Sequence, residues 1–240
     1  MKPRKTTYLA HRWIGLVIAL QLLAWSTGGF IFSVLDIDSV RGTTDSRMRD
    51  VLPIRADSRA ALPRPLQDVL DALGDVDIGS VMLIDRGLGI HWEIRDTQKN
   101  ILARADISGA SVGLISPDEA GHLALSDFRP QADVKSVKLL ESDPPSEYRG
   151  GPLPAYRVDL QHAKQPHIYI EASTGRITAR RNRSWRLFDF FWMLHTMDYK
   201  GRDNFNHPLL IVASALAIAT SGTGIALWGW RISTKIRRRG

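Results

Sequence analysis

The stretch WIGLVIALQLLAWSTGGFIFSVL, residues 13–35, contains no charged residue, and neither does PLLIVASALAIATSGTGIALWGW, residues 208–230. Each stretch has 23 residues. As a helix with a rise of roughly 1.5 Å per residue, each would be about 34 Å long, enough to cross the hydrocarbon core of a bilayer. The sequence therefore predicts two transmembrane helices that enclose a segment of ordinary water-soluble composition.

The charges that flank the apolar stretches predict their orientation. Residues 1–12 and 231–240 contain basic but no acidic side chains. These are Lys2, Arg4, Lys5, Arg12, Arg231, Lys235, Arg237, Arg238 and Arg239. Because basic flanks stay in the cytoplasm, we expect two cytoplasmic tails and an extracytoplasmic central segment, in a bacterial inner membrane. A cleaved signal peptide is the alternative for the first stretch, but the apolar run is too long and no small-x-small cleavage site follows Leu35.

The basic net charge reflects these tails. The chain has 32 Lys and Arg against 25 Asp and Glu, and nine of the basic residues lie in the tails, which leaves 23 elsewhere. The high pI therefore indicates topology and attraction to anionic membrane lipids, and it gives no support for nucleic-acid binding. The chain has no cysteine, which excludes disulfides, iron–sulfur clusters and thiol chemistry.

The central segment has the pattern of an α+β domain. Residues 36–63 predict a polar tether. Helical spacing begins at Arg64 and stops at Gly74, and the sequence from Ser116 to Leu125 predicts a second, capped helix. Alternating segments predict strands at residues 78–84, 91–95, 101–107, 134–140, 154–160, 167–171 and 176–179. A helix followed by an antiparallel meander thus occurs twice, over residues 64–115 and 116–183.

Several motifs carry a resemblance to a known family. YRVDL (156–160) followed by HIYIEASTGRITA (167–179) resembles the PepSY domain, and residues 92–109 match it more loosely. HRWIGLVIALQLLAWSTGGFIF (11–32), FWMLHTMDYKG (191–201) and SGTGIALWGWR (221–231) resemble the PepSY-associated transmembrane family. The resemblance implies an α+β fold in which two transmembrane helices enclose an extracytoplasmic domain of two PepSY-like helix-plus-antiparallel-sheet repeats.

The resemblance also implies a function. Larger members of the family have four helices, and some are similar to inner-membrane reductases that carry haem and act on iron–siderophore complexes. This chain has two predicted spans, so it is expected to be a haem b electron-transfer subunit, an oxidoreductase component that serves iron complexes or another extracytoplasmic acceptor. It would then work as a homodimer or with a partner membrane subunit, and with a redox partner.

Three histidines near the apolar stretches are the candidate axial ligands of the haem iron: His11, His195 and His207. Bis-histidine ligation needs two imidazoles at one membrane depth, each about 2 Å from the iron. His11 is expected at the cytoplasmic face and the other two at the outer face, roughly 30 Å away. Two arrangements remain. In the first, a dimer places His11 of each chain on the same haem. In the second, the amphipathic segment 184–207 folds back so that His195 and His207 share an outer haem.

The same histidines have structural interpretations. His11 can be an interfacial residue in a basic cap, and His207 can cap the second helix. His195 can bond Asp189, Asp198 or Tyr199. The remaining histidines, His91, His122, His162 and His167, are interpreted as surface residues because no acidic or cysteine set completes a zinc site.

Two functions of other classes remain open. The chain can be a non-catalytic, membrane-anchored PepSY module that binds a peptide, a peptidase or a larger membrane complex through a sheet edge. It can also be an assembly subunit that packs through small-residue helix faces. Those faces are Gly15 and Ala19 in the first stretch, and Ala213, Ala217 and Ser221 in the second.

Overall fold

The structure is a computed structural model that describes residues 3–47, 70–71, 77–106 and 110–237. It divides into two compact units. Met1–Asp36 and Arg186–Gly240 form the helical unit, and Ile37–Trp185 form the sheet unit. The helices are α1 (Pro3–Val34), α2 (Ile37–Arg41), α3 (Pro117–Asp127), α4 (Arg183–Thr196) and α5 (Pro208–Arg237). The strands are β1 (Ile78–Asp85), β2 (Ile90–Asp96), β3 (Ile101–Asp106), β4 (Asp133–Leu140), β5 (Ala155–Gln161), β6 (His167–Glu171) and β7 (Ile177–Arg181).

In the helical unit, α1 and α5 are long and apolar enough to cross a bilayer, over His11–Val34 and Pro208–Ile236. In the most apolar 18 residues of each helix, only 11% are buried in α1 and only 6% in α5. The core helix of a soluble protein would bury most of such a window, because exposing it to water is unfavourable. Two exposed apolar helices are therefore consistent with membrane anchoring.

The two long helices contact each other through small side chains and run antiparallel. A Cβ added at Gly15 would lie 3.5 Å from Thr220 Cγ2, and Ala213 on α5 is buried. Ala19 and Ser221 are exposed, so the contact uses only part of the small-residue faces expected from the sequence. Close backbone approach at a small residue is the usual packing of membrane helices.

The helix α4 lies along the second half of α1. The rings of Phe32 and Phe188 are 4.5 Å apart, and a Cβ at Gly28 would lie 3.7 Å from Phe191 Cβ. At the C-terminal end of α4, Gln21 Nε2 donates to the carbonyl of Leu194 over 3.3 Å. The helix α4 therefore runs antiparallel to α1 and ends beside the middle of its apolar stretch.

A tight loop returns the chain from α4 to α5. The carboxylate of Asp198 accepts hydrogen bonds from the backbone N–H groups of Lys200, Gly201 and Asn204, at 3.4, 3.0 and 3.2 Å. A Cβ at Gly201 would lie 2.8 Å from Asp198 Oδ2, so the loop requires glycine there. The buried carboxylate thus organises the loop through backbone donors.

In the sheet unit, β4–β7 form an antiparallel sheet in the order β4-β5-β6-β7, and α3 packs on one face. Alternate residues of β5 and β6 form the core with α3: Ala120, Leu123, Ala124, Tyr156, Val158, Leu160, Ile168 and Ile170. The period of two in each strand places these side chains on one face. A capping box begins α3, because Ser116 Oγ accepts from the N–H of Glu119 and Glu119 Oε2 accepts from the N–H of Ser116.

The second sheet of this unit has the order β1-β2-β3, and a further bridge joins Ala105 to Ser111. Ile94 and Ala105 are its buried apolar residues, and Leu70 packs against them. The helix predicted from Arg64 to Gly74 lies outside the described residues except for 70–71, which are helical. Residues 48–63 of the predicted tether also lie outside them.

The α+β class, the two antiparallel sheets and the apolar helices near both ends are confirmed. The described strands begin and end within two residues of the predicted ones. Both sheets are meanders: each strand pairs with the next strand in the sequence, and a turn or loop connects them.

Candidate functional site

His11 on α1 forms a hydrogen bond with Thr223 on α5. Its Nδ1 lies 2.9 Å from Thr223 Oγ1. The same hydroxyl lies 2.9 Å from the carbonyl oxygens of Ala219 and Thr220, and donates to them. The hydroxyl has one proton, and when that proton goes to either carbonyl, the oxygen accepts from His11 Nδ1. In that arrangement the neutral imidazole carries its proton on Nδ1 and a lone pair on Nε2.

A glycine on α5 allows the His11 ring to pack closely against that helix. A Cβ added at Gly224 would lie 3.3 Å from His11 Cε1 and 3.8 Å from Nε2. Thr223 lies seven residues before Trp230, about 10 Å along the axis of α5. The sequence places His11 outside the first apolar stretch, but in the structure its imidazole lies beside the interior of the second.

His195 on α4 lies among aromatic rings. Its centroid is 6.0 Å from that of Trp25, 6.2 Å from Phe32 and 6.4 Å from Trp192. The ring is exposed, and its nitrogens form no hydrogen bond with the described residues. The indole Nε1 of Trp25 is buried and has no acceptor in the described part of the chain. This indole N–H is therefore available to a group outside the described residues.

The acidic partners considered for His195 are engaged elsewhere. Asp189 forms an ion pair with Arg202, and it is buried. The Asp198 carboxylate accepts hydrogen bonds from backbone N–H groups of its own loop. The imidazole of His195 is therefore available for a group outside the described chain.

His207 has a structural contact. Its Nδ1 accepts a hydrogen bond from the N–H of Leu209, at 3.3 Å, in the first turn of α5. This is the arrangement of a helix cap, in which a side chain satisfies one of the free N–H groups. With Nδ1 as the acceptor, the neutral ring carries its proton on Nε2, so it presents no second lone pair to a metal.

The structure does not bring His11 and His195 together. His11 lies on α1, and His195 contacts Trp25, which lies about 21 Å further along the same helix. Among the described residues, no group of three or more His, Cys, Asp or Glu could hold a metal ion. Each imidazole would need a second axial ligand from elsewhere.

A buried ionic cluster lies in the sheet unit, and it includes one histidine that the sequence predicted to be at the surface. His91, interpreted as a surface residue, is buried on β2, and its Nδ1 donates to the carbonyl of Gly89 over 3.2 Å. Glu93, two residues along the same strand, bonds Arg95 and lies 3.3 Å from Arg86. Burial lowers the pKa of His91. Burial raises the pKa of Glu93, but the bonds from Arg95 and Arg86 outweigh it and the net shift is downward.

The surroundings of His11 and His195 include three residues that the sequence did not identify as part of a site. These are Thr223, Gly224 and Trp25. Thr223 and Gly224 lie in the SGTG motif of the second apolar stretch. A hydroxyl in such a stretch is a usable signal, because a polar side chain in lipid needs a partner.

Comparisons with known proteins give no assignment for this chain. No protein-family model, no curated protein and no solved structure matches it. The likeness to PepSY proteins therefore rests on the quoted motifs, and the functional assignment on the geometry of the two histidine environments.

Proposed function

We propose that this chain is a haem-carrying electron-transfer subunit of the bacterial inner membrane, with both tails in the cytoplasm and PepSY-like repeats outside it. The observation that carries the proposal is the hydrogen bond between His11 Nδ1 and Thr223 Oγ1. Histidines that bind metals usually donate their other ring N–H to a fixed acceptor, which sets the tautomer and orients the ring. Thr223 supplies that acceptor inside an apolar stretch.

The residues present fit haem b as one half of each site. His11 lies on α1 with its ring packed against Gly224 of α5, and His195 offers a ring flanked by Trp25, Phe32 and Trp192. Aromatic walls suit a flat macrocycle, since stacked or edge-on rings are favourable. Bound haem would supply one-electron transfer. Of the three candidate ligands, His11 and His195 are preferred, and His207 is assigned a capping role.

A second polypeptide is required, because the two preferred histidines of one chain lie about 21 Å apart along α1. Two α1–α5 pairs would build a four-helix bundle, the usual scaffold for cofactors between facing helices. In such a homodimer each chain donates one axial ligand to each haem. A partner membrane subunit that brings its own histidines would serve the same purpose.

The test is a spectrum of the protein purified in mild detergent after haem-replete expression. We expect a low-spin Soret band and a sharp α band on reduction with dithionite. His11→Ala and His195→Ala should each lose haem or become high-spin, whereas His207→Ala should keep the bands. A colourless wild-type protein would remove the proposal, and bands that survive both His11→Ala and His195→Ala would remove the ligand assignment.

A non-catalytic module is the second candidate, favoured by the exposed edge strand β4. The order β4-β5-β6-β7 leaves β4 at the edge of its sheet, and most of its residues are exposed or half-buried. Extended peptides add to such edges through main-chain hydrogen bonds. A haem-free protein that retains a defined peptide on β4 would support this function over electron transfer.

A further inference from the structure

The segment that follows α1 and the segment that leads into α4 are joined within the sheet unit. Ser39 lies on α2, five residues after α1 ends at Val34, and Asn182 is the residue before α4. The amide Nδ2 of Asn182 donates to the carbonyl of Ser39 over 2.8 Å. These residues are 143 positions apart in the sequence, so the fold brings the two ends of the sheet unit together.

The other end of the same side chain begins α4. The oxygen Oδ1 of Asn182 accepts a hydrogen bond from the N–H of Trp185 over 2.8 Å. An asparagine in this position caps the helix, because it satisfies one of the free N–H groups of the first turn. Asn182 is only 5% exposed, and both polar atoms of its amide are bonded. One buried amide therefore connects the start of α4 to the segment after α1.

A second set of bonds holds the same two segments. The carboxylate of Asp127, at the end of α3, accepts from Ser46 Oγ over 2.6 Å and from two guanidinium nitrogens of Arg180, each over 2.7 Å. Ser46 lies in the segment after α1, and Arg180 lies on β7, close to the start of α4. Asp127 is buried, and hydrogen bonds to a charged group are stronger than those between neutral groups. This carboxylate therefore reinforces the link that Asn182 makes.

The loop between β5 and β6 supplies a third link. Lys164 Nζ lies 2.8 and 2.7 Å from the two carboxylate oxygens of Asp45, and the carbonyl of Lys164 accepts from the N–H of Arg183 over 2.9 Å. Because the Lys164 side chain is 47% exposed, its ion pair contributes less than the buried bonds. We call Asn182, Asp127 and Lys164, together with the residues that they bond, the clasp.

The helices that continue from the clasp contact each other mainly through apolar groups. The α1–α4 contact consists of aromatic rings, the packing of Gly28 against Phe191, and the hydrogen bond from Gln21 to Leu194. In a bilayer the lipid tails are as apolar as these side chains, so burial of apolar surface contributes little to helix association. A tether that fixes the spacing of two helix ends raises their effective concentration for each other. The clasp is such a tether, outside the apolar stretches.

We propose that the clasp is a positioning device that keeps α1 and α4 in contact, with Asn182 as its central residue. Trp25 and Phe32 on α1 and Trp192 on α4 surround His195, so the clasp controls the spacing of the rings around this histidine. The proposal goes beyond the haem assignment and holds whether or not the chain carries haem, because it concerns helix contact alone.

The experiment measures disulfide formation between α1 and α4 in the full chain, reconstituted in nanodiscs. A Cβ at Gly28 would lie 3.7 Å from Phe191 Cβ, within the range of about 3.5–4.5 Å that a disulfide requires. The chain has no cysteine, so Gly28→Cys/Phe191→Cys supplies the one reactive pair of each chain. With copper phenanthroline as oxidant, we expect rapid cross-linking at the mass of one chain, and slowing by about threefold or more when Asn182→Asp is added. An unchanged rate, or no cross-link with Asn182 intact, would overturn the proposal.

Matched variants separate the clasp from general stability. Asn182→Asp keeps the helix cap, because aspartate caps as well as asparagine, and loses the amide donor to Ser39. Asn100→Asp makes the same chemical change in the β2–β3 turn, where Asn100 Nδ2 donates to Asp96 over 2.9 Å, and should leave the cross-linking rate unchanged. Equal slowing by the two variants would overturn the proposal. Circular dichroism verifies the fold, and Asn182→Ser, which keeps a cap oxygen without added charge, carries the test if the aspartate variant unfolds.

The reactivity of each cysteine alone separates helix contact from access of the reagent. Gly28→Cys and Phe191→Cys, as single variants, should react with a membrane-permeant maleimide at least as fast with Asn182→Asp as without it, because separated helices expose the thiols. A slower reaction of either thiol would attribute the lost cross-linking to access and would overturn the proposal.

Discussion

His91 links the stability of the sheet unit to pH. Its imidazole is 4% exposed, Nδ1 is bonded to Gly89, and Nε2 has no hydrogen-bond partner among the described residues. Burial lowers the pKa of His91 from its ordinary value of 6.5. The unfolded chain therefore takes up a proton near pH 6.5 that the folded chain resists, so stability falls as the pH drops below that value.

Replacement of His91 by Gln tests this linkage. In urea unfolding of the detergent-solubilised chain, followed by circular dichroism, the wild type should lose stability from pH 7 to pH 5.5, and His91→Gln should lose less. His122→Gln is the control, because His122 is exposed on α3. An unchanged slope in His91→Gln would contradict the assignment. Glu93, whose net pKa shift is downward from 4.5, should add a separate loss only below about pH 4.5.

Thr223 tests the proposed ligand geometry without touching the ligand. Thr223→Val keeps the shape of the side chain but removes the acceptor of the His11 Nδ1–H. We expect a changed haem midpoint potential and lower haem retention, by about tenfold in affinity if Thr223 acts as a typical outer partner of a metal-binding histidine. Thr220→Val, on the same helix and next to Gly15, should leave both properties unchanged.

At the scale of elements, the capping box of α3 should contribute measurably to stability. Ser116→Ala removes the acceptor for the N–H of Glu119 and should lower the free energy of unfolding by about 1 kcal/mol. Ser126→Ala, near the other end of α3, is the control, since its hydroxyl only bonds the carbonyl of Leu123 within the helix. Equal losses in the two variants would show that the cap has no special role.

The sequence was sufficient to predict most elements, because each has a local cause. The strands follow from alternation, α3 from its cap and Pro117, and the turn between β6 and β7 from Gly175, which has a φ of +70°. The five-residue helix α2 was not predicted, since a single turn has too few residues to show a period.

The sites were less predictable, because they depend on which elements meet. The three candidate histidines were chosen from their positions near the apolar stretches and from the family resemblance. The partnership of His11 with Thr223 follows from the register between α1 and α5, which apolar patterns leave open. The clasp joins residues as far apart in the sequence as Ser39 and Asn182, and only the tertiary fold gathers them. Burial of His91 likewise comes from packing around β2 and not from its own strand pattern.

At the scale of the whole molecule, the proposed haem sites require at least two polypeptides. In size-exclusion chromatography with light scattering, the haem-containing fraction should have the mass of a dimer or of a larger complex after correction for detergent. His11→Ala/His195→Ala should lower the proportion of that species if the cofactor bridges chains. Stoichiometric low-spin haem in a single chain would contradict the bridging arrangement.

The antiparallel register of α1 and α5 has a consequence for the surrounding lipid. With Gly15 opposite Thr220 and His11 opposite Thr223, the two charge-free stretches overlap over only about 15 residues, or about 22 Å. A typical hydrocarbon core is about 30 Å thick, so the overlap of the two charge-free stretches is shorter than this layer, although each stretch alone is long enough to cross it. In a bilayer, the acyl chains would compress around this overlap, and Arg12 would extend its guanidinium toward the headgroups. The protein would accordingly favour thin membrane regions and deform thick ones.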